Sequence, residues 1–355
     1  MTDTSISHPQ FQIQEVVYAV GKVILPIALA LIVGGLLLLA LGKDPLTYYS
    51  YVIERGIFRS TGLQASLTRM APLLFIAAGL IVAFRAGLWN LGVDGQFLLA
   101  AVFVAAAAPV LTTFLPGWLV MIVCFGLAAF IGSIWSLLPA YLKAVHGLNE
   151  IISTLMMSFL GVSLANVLIK ILFNDPGTTV PQTATLAVAD RLGKIGGSTV
   201  HWGVVLGVIA VLAVHFLMTR TSFGLKLQIV GANPRAAIHA GLSLRHLTFA
   251  AFCISAGLAG IAGSIDILGV YGNVRADWNP AYGILVFPLV FLARFNGFAV
   301  IGFVFFFAVL MIGGESAARR LGVPHFFVLV LVSLVMLFFA LIEFVDLARK
   351  RRVKV

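Results

Sequence analysis

The chain has 355 residues, of which 61% are apolar and only 10% are charged, and its mean hydropathy is +1.08. Charged residues make up about a quarter of a typical soluble protein, so this composition excludes an ordinary soluble fold and indicates a polytopic membrane protein. The net charge of +10 comes from 23 Lys and Arg against 13 Asp and Glu. Basic residues are typical of the cytoplasmic loops of membrane proteins, and the chain has no long polar domain to carry a nucleic-acid surface. We therefore expect no nucleic-acid partner.

Long apolar stretches fill most of the chain. A hydrocarbon core about 30 Å thick requires roughly 20 helical residues. Ten stretches of suitable composition lie at 21–42, 71–88, 96–114, 116–142, 148–172, 203–220, 247–270, 281–294, 297–314 and 325–347. The piece 281–294 is short and contains Pro288, which predicts a broken or tilted helix. The sequence thus predicts an all-α polytopic helical membrane protein with about ten transmembrane or half-spanning helices.

Two basic clusters orient these helices. One comprises Arg220, Lys226, Arg235 and Arg245, and the other comprises Arg349, Lys350, Arg351, Arg352 and Lys354. Both are expected to face the cytoplasm, because basic loops stay on that side of the membrane. Counting crossings from them predicts a cytoplasmic segment 1–20, a single transmembrane domain over 21–347 and a basic cytoplasmic tail at 348–355. The segments 43–70 and 173–202 are then the long external ones.

A polar, glycine-rich segment interrupts the apolar pattern over residues 83–96. It contains Arg85, Asn90, Asp94, Gln96, Gly87, Gly92 and Gly95. Glycines at this spacing favour a helix break, and polar groups at membrane depth occur where protein or a water-filled cavity satisfies them. The segment predicts a discontinuous helix near a substrate path. A short cytoplasmic turn is the alternative.

A second polar segment follows Gly147. Asn149 is suited to cap a helix, and Glu150 in its first turn suits the helix dipole. The alternative is a functional one, in which polar residues form a stripe that faces a substrate path. That stripe would comprise Ser153, Thr154, Ser158 and Asn166.

Helix start and stop signals mark a short helix in the first basic cluster. Asn233 is a good cap, Pro234 a good first helical residue and Gly241 a plausible stop, which predicts a helix over about 234–240. This helix is either a docking element or a simple connector. Further along, small residues over 255–264 allow tight helix packing, and Asp266 is expected to be paired in the bundle or to line a cavity.

The chain resembles a known permease superfamily in these segments. Arg235-Ala236-Ala237 followed by Gly241 is similar to the coupling-loop signature of ABC importer permeases, Glu-Ala-Ala, three residues and Gly, with Arg in place of Glu. Together with 90–96, 149–154 and 255–260, the pattern resembles the branched-chain amino acid, ribose and nucleoside permeases over about 45–345. The simple-sugar and nucleoside permeases are the most similar branch.

This resemblance implies a permease subunit of a binding-protein-dependent ABC importer. It implies alternating-access import of a nucleoside, nucleobase or simple sugar across a bacterial inner membrane. The implied partners are an ATPase with two fused nucleotide-binding domains, a second related permease, an extracytoplasmic substrate-binding protein and membrane lipid. The chain itself has no phosphate-binding loop, because none of its three Gly-Lys pairs is followed by Ser or Thr. We expect no cofactor and no catalytic site in it, with ATP used by the partner.

Two sets of residues are the resulting candidates. The translocation path is expected to include Trp89, Asn90, Asp94, Gln96, Asn149, Thr154, Ser158, Asn166 and Asp266. Coupling to the ATPase is expected to involve Gly231, Asn233, Pro234, Arg235, Ala236, Ala237 and Gly241. A rival hypothesis is a proton-coupled secondary transporter that uses Asp94, Glu150 or Asp266 as its relay. An intramembrane enzyme is disfavoured because the seven His are scattered and no Cys/His cluster occurs.

Overall fold

A computed structural model describes residues 9–324 and 326–352, and this part of the chain is 78% helical without a named strand. Residues 1–8 and 353–355 of the predicted terminal segments lie outside the described residues. Seven of the described helices are long and apolar enough to cross a membrane. Three shorter apolar helices lie at Ile24–Ala40, Tyr282–Leu292 and Phe327–Ile342. The prediction of an all-α protein with about ten transmembrane or half-spanning helices is confirmed.

Thirteen α-helices occur in the described residues. They are α1 Pro9–Ala40, α2 Pro45–Ile53, α3 Ser60–Arg85, α4 Val93–Leu111, α5 Gly117–His146, α6 Glu150–Val167, α7 Gly203–Arg220, α8 Ser222–Ala232, α9 Pro234–His239, α10 Leu244–Asp266, α11 Tyr282–Leu292, α12 Gly297–Leu321 and α13 Phe327–Arg352. Single π-helical turns at Glu54–Phe58, Leu168–Leu172 and Ile267–Tyr271 continue α2, α6 and α10.

Two helical boundaries differ from the sequence prediction. The predicted start of the second span at 71 was wrong, since α3 begins at Ser60 and its early polar residues have partners. Gln64 accepts hydrogen bonds from Thr199, and Arg69 donates one to Tyr282. The segment between Arg220 and Asn233, which is not among the predicted helices, also differs. It contains α8, which Thr221 caps by accepting from the amide of Gly224.

Contacts divide the chain into two compact units, residues 1–63 with 309–355 and residues 64–308. In the first unit α1 packs along α13. One cluster of buried hydrophobic side chains in this unit comprises Leu38, Tyr48, Val52, Ala317, Val323, Phe327 and Leu331. The hydroxyl of Tyr49 donates to the carbonyl of Leu31 at 2.8 Å, which fastens α2 to α1. The start of the segment 43–70 is thus helical, and Tyr48 of α2 is fully buried.

The second unit is built around α10, which packs against α4 and α5. The small residues predicted to allow tight packing do so. A Cβ atom on Gly260 would meet the carbonyl of Ala128 in α5, and one on Gly263 would meet the carbonyl of Phe97 in α4. Backbones that approach this closely gain van der Waals contact, which drives helix association where lipid removes the hydrophobic effect. The small-residue face of α10 therefore sets the positions of α4 and α5.

We predict that Gly260→Leu lowers the thermal stability of the protein, because overpacking of a tight interface costs about 1–3 kcal/mol. Gly126→Leu is the matched control, since nothing lies within 4 Å of the corresponding Cβ on α5. Fluorescence-detected size exclusion after heating in detergent measures the effect. Equal melting temperatures for the two variants would contradict the packing described for α10.

Candidate functional site

The polar, glycine-rich segment breaks the chain between two helices of the second unit. Helix α3 ends at Arg85 and α4 begins at Val93, so residues 86–92, here called the break, are non-helical. Gly87 has φ +69°, in the left-handed region that favours glycine, and the amide of Leu88 donates to the carbonyl of Ala83 at 2.9 Å. Residues 86–92 are therefore non-helical, which agrees both with the predicted discontinuous helix and with its alternative, a short turn.

A buried amide network holds the break against α10. Asn90 and Gln96 are almost fully buried, and each side-chain amide donates to the other's oxygen at 3.0 Å. The Asn90 amide also donates to the hydroxyl of Ser255 at 3.0 Å, and its oxygen accepts from the amide of Gly92 at 3.1 Å. Asn90 thus uses both ends of its side chain, and it ties the break to the middle of α10.

Helix α6 satisfies the backbone of the break from another side. The hydroxyl of Thr154 accepts from the amide of Leu91 at 3.1 Å, and the hydroxyl of Ser158 accepts from the amide of Gly95 at 3.3 Å. Both side chains are buried. Two of the four residues of the predicted stripe therefore face the break and the start of α4, where they accept hydrogen bonds from free backbone amides.

Other residues of the α6 segment have local roles. Asn149 caps α6 by accepting from the amide of Ile151 at 2.9 Å, as the capping interpretation predicts. Glu150 pairs with Lys143 at 2.7 Å. Asn166 lies near the other end of α6, where its oxygen accepts from the amide of Asp277 at 2.6 Å. Asn149 and Asn166 are thus not hydrogen-bonded to the break in the described chain.

A polar cluster lies where α11 begins, and it comprises Arg69, Asp266 and Tyr282. Arg69 of α3 donates to the Tyr282 hydroxyl at 2.6 Å, and that hydroxyl is hydrogen-bonded to the carboxyl of Asp266. The second carboxyl oxygen of Asp266 is buried and has no hydrogen-bond partner among the described residues. Next to the cluster, Asp94 accepts from the amide of Gly283 at 2.7 Å. Acids on α4 and α10 therefore meet the first turn of α11.

An aromatic cluster occupies the opposite end of α11. The Trp89 ring stacks on Phe291 with centroids 5.3 Å apart, and Phe84 lies 4.6 Å from Phe291 and 5.2 Å from Phe287. Trp89 keeps 39% of its surface exposed. Ring faces at this position can stack on a planar or cyclic solute. Helix α11 thus runs along the break from the polar cluster to the aromatic cluster.

The structure adds residues that sequence reasoning missed. Arg69 and Tyr282 complete the polar cluster, and Phe291 contacts Trp89. A cation inside an apolar helix signals a buried partner, so Arg69 was recoverable as a candidate from the sequence. Tyr282 and Phe291 had no such signal, because aromatic residues are frequent throughout this chain.

The short helix α9 forms as predicted. Asn233 accepts from the amide of Ala236 at 3.1 Å, Pro234 takes the first helical position, and Gly241 has φ +75°. Ala237 is fully buried, whereas the other residues of α9 are exposed, Ile238 by 59%. One buried anchor and an exposed outer face leave most of α9 free for a partner. Gly231 lies at the end of α8 and faces the break.

The family described as the branched-chain amino acid transport system permease component matches residues 62–341. The chain belongs to this family. The match runs from α3 through α12 into α13 and so includes the break, both clusters and α9. Membership makes the chain a transport component of an importer and confirms its assignment as the permease subunit of an ABC transporter.

Three relatives span nearly the whole chain. The glucose ABC transporter permease protein TsgB13 of Haloferax volcanii is 32% identical over 92% of this chain and 88% of its own length. The guanosine ABC transporter permease protein NupP of Bacillus subtilis is 27% identical over 89% of this chain and 92% of its own. The nucleoside ABC transporter permease protein NupB of Lactococcus lactis is 25% identical over 91% of this chain and 92% of its own length. All three are permeases, as the sequence-based resemblance implied.

We predict that Thr154→Val destabilises the permease by about 1–3 kcal/mol, because the part-buried amide of Leu91 loses its acceptor. Ser153→Ala is the control, since the Ser153 hydroxyl donates only to a carbonyl of its own helix. Thermal unfolding in detergent, followed with a thiol-reactive dye, compares the two variants. A Thr154→Val protein as stable as the control would show that α6 does not hold the break.

Proposed function

We propose that this permease imports a nucleoside, nucleobase or simple sugar by alternating access, driven by ATP hydrolysis in a partner. The single observation that carries this proposal is the combination, in one unit, of a broken helix beside α11 and an exposed capped helix α9. A broken helix places polar groups at membrane depth, and an exposed helix gives an ATPase a surface to move. Family membership supports the same division of labour.

The chemistry of the site supports the substrate class. The named substrates of the similar permeases are glucose, guanosine and nucleosides. Such solutes combine hydroxyl groups with a ring. The buried carboxyl of Asp266 accepts hydrogen bonds, and Trp89 and Phe291 offer ring faces. We place the path along α11, from the polar cluster to the aromatic cluster, with Asn90 and Gln96 supporting it from behind.

The basic residues of the α7–α10 region support the proposed orientation. Arg220 ends α7, Lys226 lies on α8, Arg235 on α9 and Arg245 on α10. Positive residues in short loops favour the cytoplasmic side, so α9 and both chain termini are placed in the cytoplasm of a bacterial cell with an inner membrane. Asp266 and the segment 173–202 then lie toward the outside, where a binding protein delivers the substrate.

The complete importer is proposed to contain four kinds of component. This permease pairs with a second, related permease, and both bind an ATPase with two fused nucleotide-binding domains. An extracytoplasmic substrate-binding protein supplies the solute. The family resemblance supports this composition, and the exposed face of α9 supplies a surface that suits the ATPase.

We predict that Gly241→Asp uncouples ATP hydrolysis from uptake and leaves assembly intact. A side chain at φ +75° costs about 1 kcal/mol and shifts the end of α9, although the site itself has room. Gly196→Asp is the control, because Gly196 also has a positive φ and an open Cβ position but lies in the segment 173–202. Uptake and ATPase assays on proteoliposomes measure the number of ATP molecules hydrolysed per substrate molecule imported. Normal uptake by Gly241→Asp would refute the coupling role of α9.

We predict that Asp266→Asn reduces uptake about tenfold or more, because the amide group replaces one of the two carboxyl oxygens beside Arg69 with a hydrogen-bond donor. A tenfold reduction corresponds to about 1.4 kcal/mol. Asp277→Asn is the control, since Asp277 is an exposed acid that pairs only with Lys170 in the described chain. Uptake of glucose, ribose, guanosine and uridine by reconstituted importer is compared at equal amounts of assembled complex. An Asp266→Asn importer with unchanged uptake would remove Asp266 from the path.

A further inference from the structure

Helix α8 touches the backbone of the break directly. A Cβ atom on Gly231 would lie 2.5 Å from the carbonyl oxygen of Arg85 and 2.7 Å from the amide nitrogen of Gly87. A Cβ atom on Gly87 would lie 2.8 Å from the Cα of Gly231. Real Cβ atoms do not approach other atoms so closely, so only glycine fits on either side of this contact. The two backbones therefore meet without an intervening side chain.

A side-chain contact runs parallel to this backbone contact. Arg85 donates to the Gln228 side-chain oxygen on α8 at 3.4 Å and to the carbonyl of Phe295 at 3.1 Å. Gln228 in turn donates to the carbonyls of Met218 and Gly224. Because Phe295 follows α11 closely, Arg85 connects α8 to the far end of α11. The start of the break is thus fastened to α8 by backbone and side chain together.

Helix α8 is also followed almost directly by α9. Ala232 ends α8, Asn233 is the single residue between the helices, and Pro234 begins α9. Asn233 is the cap of α9, and its own amide donates to the carbonyl of Ile229 in α8. Because only Asn233 separates the two helices, a displacement of α9 also displaces the end of α8. The route from α9 to the break passes through two helices and one glycine contact.

We propose that the contact between Gly231 and Gly87 is the link that transmits the movement of α9 to the break. This inference rests on the proposed function, in which α9 docks on the ATPase. Gly231 acts as a positioning residue, since it moves Trp89 and Asn90 through the backbone that carries them. The predicted role of Gly231 in coupling is thereby assigned to its inward contact with the break.

The geometry explains why the link is built from backbone. A contact through flexible side chains can absorb a small displacement by changing rotamers, whereas two backbones in van der Waals contact move together. A methyl group on Gly231 would force α8 away from Arg85 and Gly87. Packed elements of this kind switch between discrete arrangements instead of deforming gradually. Separating them breaks the connection while leaving α9 itself unchanged.

The test uses the assembled importer in lipid nanodiscs, with Cys124 and Cys253 replaced by Ala and a reporter introduced by Phe291→Cys. The rate of maleimide labelling at position 291 is measured without nucleotide and with ATP and vanadate. The same samples give the basal ATPase rate and the amount of assembled complex. Gly231→Ala is compared with Gly302→Ala, since nothing lies within 4 Å of a Cβ at Gly302.

We expect nucleotide to change the labelling rate in the parent and in Gly302→Ala, and this change to shrink by about fivefold or more in Gly231→Ala, the lower end of ordinary coupling between sites. Basal ATP hydrolysis and assembly should stay as in the parent. A purely structural role for Gly231 would reduce assembly and leave the nucleotide response of the assembled fraction intact, and that outcome overturns the proposal. A full nucleotide response in well-assembled Gly231→Ala overturns it as well.

A second variant keeps the proposal testable if Gly231→Ala does not assemble. Gln228→Leu removes the side-chain contact with Arg85 without adding bulk at the glycine contact. Because the backbone contact remains in this variant, the nucleotide response should stay as in the parent. A response lost on removal of the side-chain contact alone would assign the link to Arg85 and Gln228 and would overturn the proposal. The proposed function fails separately, if the importer with unmodified permease, its ATPase and its binding protein shows no ATP-dependent uptake of any of the four solutes into proteoliposomes.

Discussion

The structure depends on one constraint, which is that the partly buried segment between α3 and α4 must satisfy its backbone polar groups without helical hydrogen bonds. Between Arg85 and Val93 the regular hydrogen bonds of α3 and α4 stop. An unsatisfied amide or carbonyl in an apolar environment costs several kcal/mol, so the free groups need partners from the protein. Asn90, Thr154 and Ser158 supply them from the break itself and from α6.

This constraint gives the break two unlike sides. Toward α6 and α10 it is fixed by directional hydrogen bonds, which tolerate little displacement. Toward α11 it meets mainly rings, whose contacts are non-directional and permit sliding. Helix α11 is only eleven residues long, and non-glycine residues with positive φ, Ala281 and Arg294, flank it. An alternating-access path requires this combination of a surface fixed by hydrogen bonds and an adjacent surface whose apolar contacts allow a helix to slide.

Much of this arrangement was predictable from local sequence signals. Asn233, Pro234 and Gly241 define α9, because caps and stops act within a few residues. The glycines at 87, 92 and 95 mark the break for the same reason. Helix α8 was missed because its polar and basic residues resemble those of a loop, and its cap Thr221 lies directly after the end of α7.

The pairing of the site residues was not predictable, because it joins distant parts of the chain. Asn90 meets Ser255 across 165 positions, and Arg69 meets Tyr282 across 213. No periodicity in one sequence encodes such contacts. The sequence identified Asp266 as an acid in need of a partner, and the fold supplied the partner. It also could not distinguish polar residues that line a path from those, such as Thr154, that satisfy the backbone behind it.

The most direct test of this account is a cryo-electron microscopy structure of the whole importer, trapped with ATP and vanadate and supplied with substrate-loaded binding protein. We expect α11 to be displaced along the break and Asn90 to keep its bonds to Gln96 and Ser255. Substrate density should contact Trp89 or the cluster of Arg69, Asp266 and Tyr282. Substrate density on another face of the bundle, with α11 and the break in unchanged contact, would contradict it.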